Sequence, residues 1–140
     1  MGDLAWRDLL ARHDAVVEEQ AHRWRGRVVK KTGDGMLATF DGPARAIRAG
    51  LGMVGGAAQL GLQIRVGIHT GEAEIIGSDV GGIAVHIGAR VAAQAGAGDV
   101  LVSRTVKDLV AGSGIDLDDR GEFTLKGVPG VWNLFAVHGG

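Results

Sequence analysis

Glycine punctuates this chain: 25 of its 140 residues are glycine, against two prolines and no cysteine. Gly26, Gly61 and Gly71 each stand where one apolar pattern stops and the next begins. The glycines keep no fixed period and aliphatic residues are plentiful between them, which excludes collagen-like and linker architectures. A folded domain with many tight turns and close backbone approaches is predicted instead. The length suits one domain, with one core that buries roughly two-thirds of the unfolded surface. Hydrophobic residues at 46% and charged residues at 22% give the balance of a folded chain rather than a disordered one.

Fifteen basic against sixteen acidic residues leave a formal charge of -1, which argues against nucleic-acid binding through bulk charge. The lack of cysteine excludes disulfides, zinc-thiolate sites and cysteine nucleophiles. No apolar run approaches the ~20 residues of a membrane span. The segment Met1 to Leu10 carries Asp3 and Asp8 and no apolar stretch of the signal-peptide kind. A cytoplasmic domain is the default expectation, with neither nucleic acid nor membrane as partner.

Trp6, Leu9, Leu10, His13, Val16 and Val17 fall at helical spacing, predicting an amphipathic helix from Asp3 to Arg23 that Gly26 ends. The three tryptophans, Trp6, Trp24 and Trp132, are expected in the core. Arg27 to Thr32 and Met36 to Phe40 read as strands, joined tightly through Gly33-Asp34-Gly35. Asp41 is the expected cap of the next helix, with Pro43 in its first turn and Ala44, Ile47, Leu51 and Val54 or Ala58 as its stripe. Strands follow at Gln63–His69 and Glu72–Ile76, then a glycine-rich loop from Gly77 to Gly82. Ile83 to Ala95 reads as a helix in which Val85, Ala89 and Ala92 are small packing residues. Asp99 to Ser103 is a short buried strand, and Ser103 is the expected cap of a helix through Val110. Asp116 to Val137 holds two strands joined around Lys126–Gly130. One α/β domain with a mixed or antiparallel sheet follows.

Three places carry possible chemistry. Asp34 at a glycine turn is a suitable oxygen ligand for Mg²⁺ or Mn²⁺, although Asp-Gly is also ordinary turn chemistry. Lys30 and Lys31 precede it and alternate in facing. The segment Gly77-Ser78-Asp79-Val80-Gly81-Gly82 runs into the helix bearing His86 and Arg90, four apart and so on one face. Such a loop can offer backbone N–H groups to a phosphate, but no Gly-Lys-Ser/Thr follows it. Lys126 lies near a hairpin tip, where a lysine is either solvated or on a phosphate. His13, His22, His69 and His138 lack metal-ligand spacing and read as core or surface residues.

Together these segments resemble the catalytic domain of class III nucleotidyl cyclases, of the adenylate cyclase type common in actinobacteria. The likeness lies in Val29-Lys30-Lys31-Thr32-Gly33-Asp34-Gly35-Met36-Leu37-Ala38, in Ile64 to Glu72, in Asp79 to Arg90, and in Leu125-Lys126-Gly127 with Leu134 to Val137. It implies an α+β, ferredoxin-like split βαβ domain whose mixed, mostly antiparallel sheet carries packed helices. It also implies conversion of ATP to cyclic AMP and pyrophosphate with two metal ions, Mg²⁺ or Mn²⁺, at the interface of a homodimer or with a partner cyclase domain. By that resemblance Asp34 is a metal ligand and Lys30 reads the purine. Asp79 accepts from the adenine amino group, Arg90 meets charge developing on the α-phosphate, and Lys126 binds the terminal phosphates.

The family pattern departs in two places. A first strand of the form Phe-Thr-Asp-Ile-x-Gly-x-Thr, with a second metal aspartate, precedes the helix at Trp6 in the family, and this sequence starts after it. His86 stands where the family carries a ribose-binding Asn. The expectation is a single, N-terminally shortened cyclase homology domain over residues 1–140, with low or absent turnover alone. A degenerate nucleotide-binding or regulatory cyclase-like domain is the alternative. An RNA-binding sheet is disfavoured because aromatics are only 4% of the chain.

Overall fold

The computed structural model describes residues 2–32 and 35–138. The order is α1 (Asp3–Arg23), β1 (Arg27–Thr32), β2 (Gly35–Thr39), α2 (Pro43–Gln59), β3 (Val66–Ile68), β4 (Glu74–Ile76), β5 (Asp79–Gly81), α3 (Ile83–Gln94), β6 (Val100–Ser103), α4 (Arg104–Leu109), β7 (Leu117–Thr124) and β8 (Val131–Val137). The main sheet runs β3-β6-β8-β7, with β3 parallel to β6 and the other neighbours antiparallel. β1 with β2, and β4 with β5, form separate antiparallel pairs. The expected mixed, mostly antiparallel α+β architecture is the one observed.

β6 explains the layering. Its run Val100-Leu101-Val102 is apolar at every position because both faces of the strand are covered. Val100 and Val102 pack with Ala46 and Ile47 of α2, with Val106 of α4 and with Phe135. Leu101, Leu134 and Ala136 point the other way, onto Ile87 and Val91 of α3. A third cluster joins Val17 and Ala21 of α1 to Ala49 and Met53 of α2. The close approach of α1 to α2 needs Gly56, where a Cβ would press on Val16.

Gly67 of β3 is the tightest backbone approach that bears on function. A Cβ there would overlap the backbone N and Cα of Ala92, so β3 lies directly against α3. Gly67→Val is expected to force α3 off the sheet and destabilise the fold by roughly 3 kcal/mol. The urea unfolding midpoint measures it, and an unchanged midpoint would contradict the packing described.

Several local expectations are corrected. The cap of α2 is Gly42, not Asp41, and no side chain caps the helix; Pro43 does open it. Ser103 precedes α4 but makes no capping hydrogen bond, because its buried hydroxyl is turned to His69. The Gly77–Gly82 loop is a small hairpin, with Asp79–Gly81 paired to Glu74–Ile76. The Gln63–His69 run narrows to Val66–Ile68. Trp6 is not core: it is 48% exposed, and the buried residues of α1 are Val17 and Ala21. In α3 the buried residues are Ile87 and Val91, while Val85 and Ala92 are half-buried and Ala89 is exposed.

Candidate functional site

β1 is a bulged strand, with its register to β2 shifting between Val28 and Lys30. Its two lysines diverge. Lys31 Nζ lies 2.7 Å from Asp14 on α1, and that contact, above the others, holds the Asp14 carboxyl below its usual value. Lys30 Nζ lies 2.8 Å from Asp79 Oδ1 at the start of β5. Asp79 also accepts the Val80 N–H at 2.7 Å. The Lys30 ammonium first, and the Val80 N–H second, hold its carboxyl below the ordinary carboxylate range. Asp79 is therefore fully ionised near neutral pH. Arg27 donates to the Ser78 carbonyl at 3.3 Å, a second tie between β1 and the β4–β5 turn. Lys30 and Asp79 come from residues 49 positions apart, and only the folded chain joins them.

The other sequence-predicted residues gather around α3. Gly82, with φ +101°, starts the helix and turns the chain sharply from β5. His86 and Arg90 follow on one face, both half-buried. His86 Nε2 would stand 3.1 Å from a Cβ at Gly127, so its ring lies against the turn that holds the exposed Lys126. Among the described residues neither Arg90 nor Lys126 has an acidic partner. Two cations without counter-charges beside an imidazole form a surface suited to an anion. Among the described residues no hydrogen bond or ion pair joins this group to Lys30 and Asp79.

Asp34, the residue expected to hold metal, lies outside the described residues. Among those described, no three His, Asp or Glu side chains converge on one point.

His69 was expected to be an ordinary core or surface histidine, and the fold gives it specific partners. Its Nδ1 shares a 2.7 Å hydrogen bond with Ser103 Oγ, and its ring meets the Trp132 ring edge-on at 5.6 Å. The parallel β3–β6 register, Ile68 opposite Val102, brings His69 beside Ser103 one step further on. Burial holds the His69 imidazole below its ordinary value. The unfolded chain then binds a proton that the folded one refuses, so this histidine's contribution is complete above pH ~6.5 and is lost as pH falls toward the folded value. Ser103→Ala is expected to cost about 1–3 kcal/mol by orphaning the ring nitrogen, as read from thermal melts. The wild-type melting temperature is expected to fall below pH ~6.5.

A cavity of about 1200 Å³ lies to one side, between β2, β3, α2 and α3. Neither Lys30, Asp79, His86, Arg90 nor Lys126 lines it, although Val80, next to Asp79, does.

This fold is shared with nucleotide cyclases. The family model described as "Adenylate and Guanylate cyclase catalytic domain" matches residues 5–139, and the chain belongs to that family. Among curated relatives, the uncharacterized protein Rv2212 of Mycobacterium tuberculosis is 32% identical over 138 residues, covering 94% of this chain and 35% of that protein. The putative adenylate cyclase 3 of Rhizobium meliloti is 33% identical over 129 residues, covering 86% of this chain and 22% of that protein. The chain thus spans about a third or less of the length of these relatives.

The crystal structure of an adenylate/guanylate cyclase/hydrolase from Silicibacter pomeroyi superposes with a TM-score of 0.82 at 27% identity, over 96% of this chain and 85% of that one. The adenylyl cyclase CyaB from P. aeruginosa gives 0.80 at 21% identity, over 98% and 84%. The guanylate cyclase domain of RhGC from Catenaria anguillulae, in complex with GTP, gives 0.81 at 17% identity, over 99% and 86%. Adenylate and guanylate cyclases share this backbone, so the fold alone does not choose the purine.

Proposed function

We propose that this domain is a class III nucleotidyl cyclase module that takes ATP and forms cyclic AMP and pyrophosphate, as a homodimer or against a partner cyclase domain. The observation that carries the choice of ATP is the 2.8 Å pairing of Lys30 with Asp79. An ammonium only donates and a carboxylate only accepts. Adenine presents a ring nitrogen acceptor beside an amino donor, a pattern that the two side chains complement.

In this reading the ribose 3′-hydroxyl loses its proton to water and its oxygen bonds to the α-phosphorus, as the bond from the α-phosphorus to the α–β bridging oxygen breaks and pyrophosphate leaves. Arg90 meets the charge that builds on the α-phosphate oxygens. Lys126 holds the leaving pyrophosphate, and His86 donates one hydrogen bond to the ribose in place of the family's Asn. Bound Mg²⁺ or Mn²⁺ would supply further neutralisation of the triphosphate. Asp34 is the residue that the resemblance offers for it.

The 140 residues alone are expected to turn over slowly or not at all, because β2 and β3 each lack a second neighbour among the described residues. The test is incubation with ATP and Mn²⁺, with cyclic AMP read by mass spectrometry. The chain is compared with one extended at its N-terminus by a strand of the Phe-Thr-Asp-Ile-x-Gly-x-Thr form. Product from the extended chain alone supports the reading. ATP binding without product from the extended chain replaces it with a nucleotide-binding, non-cyclising domain.

A further inference from the structure

His69 is half-buried, and the chemistry proposed above does not use it. Its Nδ1 is held by the fully buried Ser103 at the end of β6, and its ring meets Trp132 of β8 edge-on. β6 lies between β3 and β8, so the two rings reach across a strand, about 10 Å from one backbone to the other. Trp132 stands two residues before Leu134 and shares its face, on the side of α3.

The Trp132 indole N–H donates to the Pro129 carbonyl at 3.0 Å. Pro129 belongs to the turn over residues 125–130, which joins β7 to β8 and carries Lys126. The Val128 N–H closes the first half of that turn on the Leu125 carbonyl, also at 3.0 Å, and the indole closes the second half. Leu125 and Val128 are buried with Ile87 and Val91 of α3. Lys126 is exposed and has no acidic partner among the described residues, so its direction is set by the turn. Gly127 of the same turn lies against His86. On its other side the His69 ring reaches the first turn of α3 through Gly71. A Cβ at Gly71 would stand 3.3 Å from His69 Nε2 and 3.3 Å from the Ala84 Cβ.

We propose that His69 and Trp132 are positioning residues: anchored on Ser103, the imidazole buttresses the indole, whose hydrogen bond to Pro129 fixes the turn that aims Lys126 beside His86. The inference rests on the proposed reading of Lys126 as the lysine of the terminal phosphates. Neither ring is placed to act on substrate, since Nδ1 is taken by Ser103, Nε2 faces the Gly71 turn and the indole N–H is taken by Pro129.

Two variants separate positioning from packing. Trp132→Phe keeps a ring for His69 to touch and removes the N–H that holds Pro129. His69→Asn keeps a polar group for Ser103 and removes the ring edge. In either variant, hydrogen exchange at the Gly127 and Val128 amides is expected to quicken about fivefold, the worth of one hydrogen bond. Exchange at Val102 of β6 should stay the same, and melting curves verify that each variant is folded. ATP affinity, by calorimetry, is expected to fall about fivefold in both variants. AMP, which lacks the terminal phosphates, should bind as before. Once Lys126→Ala is present, neither variant should weaken ATP further, the signature of one coupled unit.

Unchanged exchange at Gly127 and Val128 in both variants would overturn the inference. So would equal losses for ATP and AMP, or an ATP affinity that falls with Lys126→Ala but not with Trp132→Phe. An ATP affinity that Lys126→Ala leaves unchanged would instead refute the reading of Lys126, and exchange at the turn would still decide the buttress itself.

Discussion

Replacing Arg90 by alanine in the strand-extended chain is expected to reduce cyclic AMP formation by roughly 10²–10³-fold, the usual effect of removing one group aimed at developing transition-state charge. The loss should fall on kcat, with a much smaller change in KM, because the charge on the α-phosphate oxygens grows only as the 3′-oxygen attacks. Arg90 is half-buried on α3 and has no acidic partner among the described residues, so no ion pair is broken by its removal. Ile87 and Val91 carry the packing of that helix, and the melting temperature should hardly move. Arg90→Lys restores the charge but not the planar fork, and only partial recovery is expected. Equal losses of activity and melting temperature would instead mark Arg90 as a structural residue.

The second large effect concerns the purine. Asp79→Ala removes the carboxylate that Lys30 faces at 2.8 Å and leaves one donor without its neighbouring acceptor. The ratio of kcat/KM for ATP over GTP is expected to fall by roughly 10–100-fold, equivalent to about 1–3 kcal/mol for one well-placed base contact. Stability should change little, since both side chains are substantially exposed and surface ion pairs contribute little. A large loss with both nucleotides and no change in their ratio would place Asp79 outside purine selection.

The repeating elements were legible because their signals are local. The helix over Asp3–Arg23 and the strand over Arg27–Thr32 have the predicted bounds, each set by periodicity and a following breaker. The caps were legible only in part: Ser103 does stand at the N-cap of α4. Asp41 and Ser103 have the right chemistry for N-caps, yet the chain places Gly42 at one cap and turns the Ser103 hydroxyl toward His69, 34 residues away. The loop at Gly77–Gly82 concealed a three-residue strand whose partner is set by pairing rather than pattern.

For the site, residue types and motif order singled out Lys30, Asp79, His86, Arg90 and Lys126. What brings Lys30 to Asp79 is the β1 bulge and the β4–β5 hairpin, and neither has a sequence signal of its own. The hydrogen bond between His69 and Ser103 depends on a parallel pairing of distant strands, which no local pattern reports. The small residues Val85, Ala89 and Ala92 read as a core face, and in the assembled structure they border a cavity instead.

The most direct measurement of the central claim is a calorimetric titration of ATP, and separately of GTP, into the unmodified chain. The account predicts saturable ATP binding, tighter than GTP by roughly 10-fold or more through the Lys30–Asp79 pair. GTP binding as tightly as ATP, or tighter, would contradict the assignment of that pair as an adenine reader.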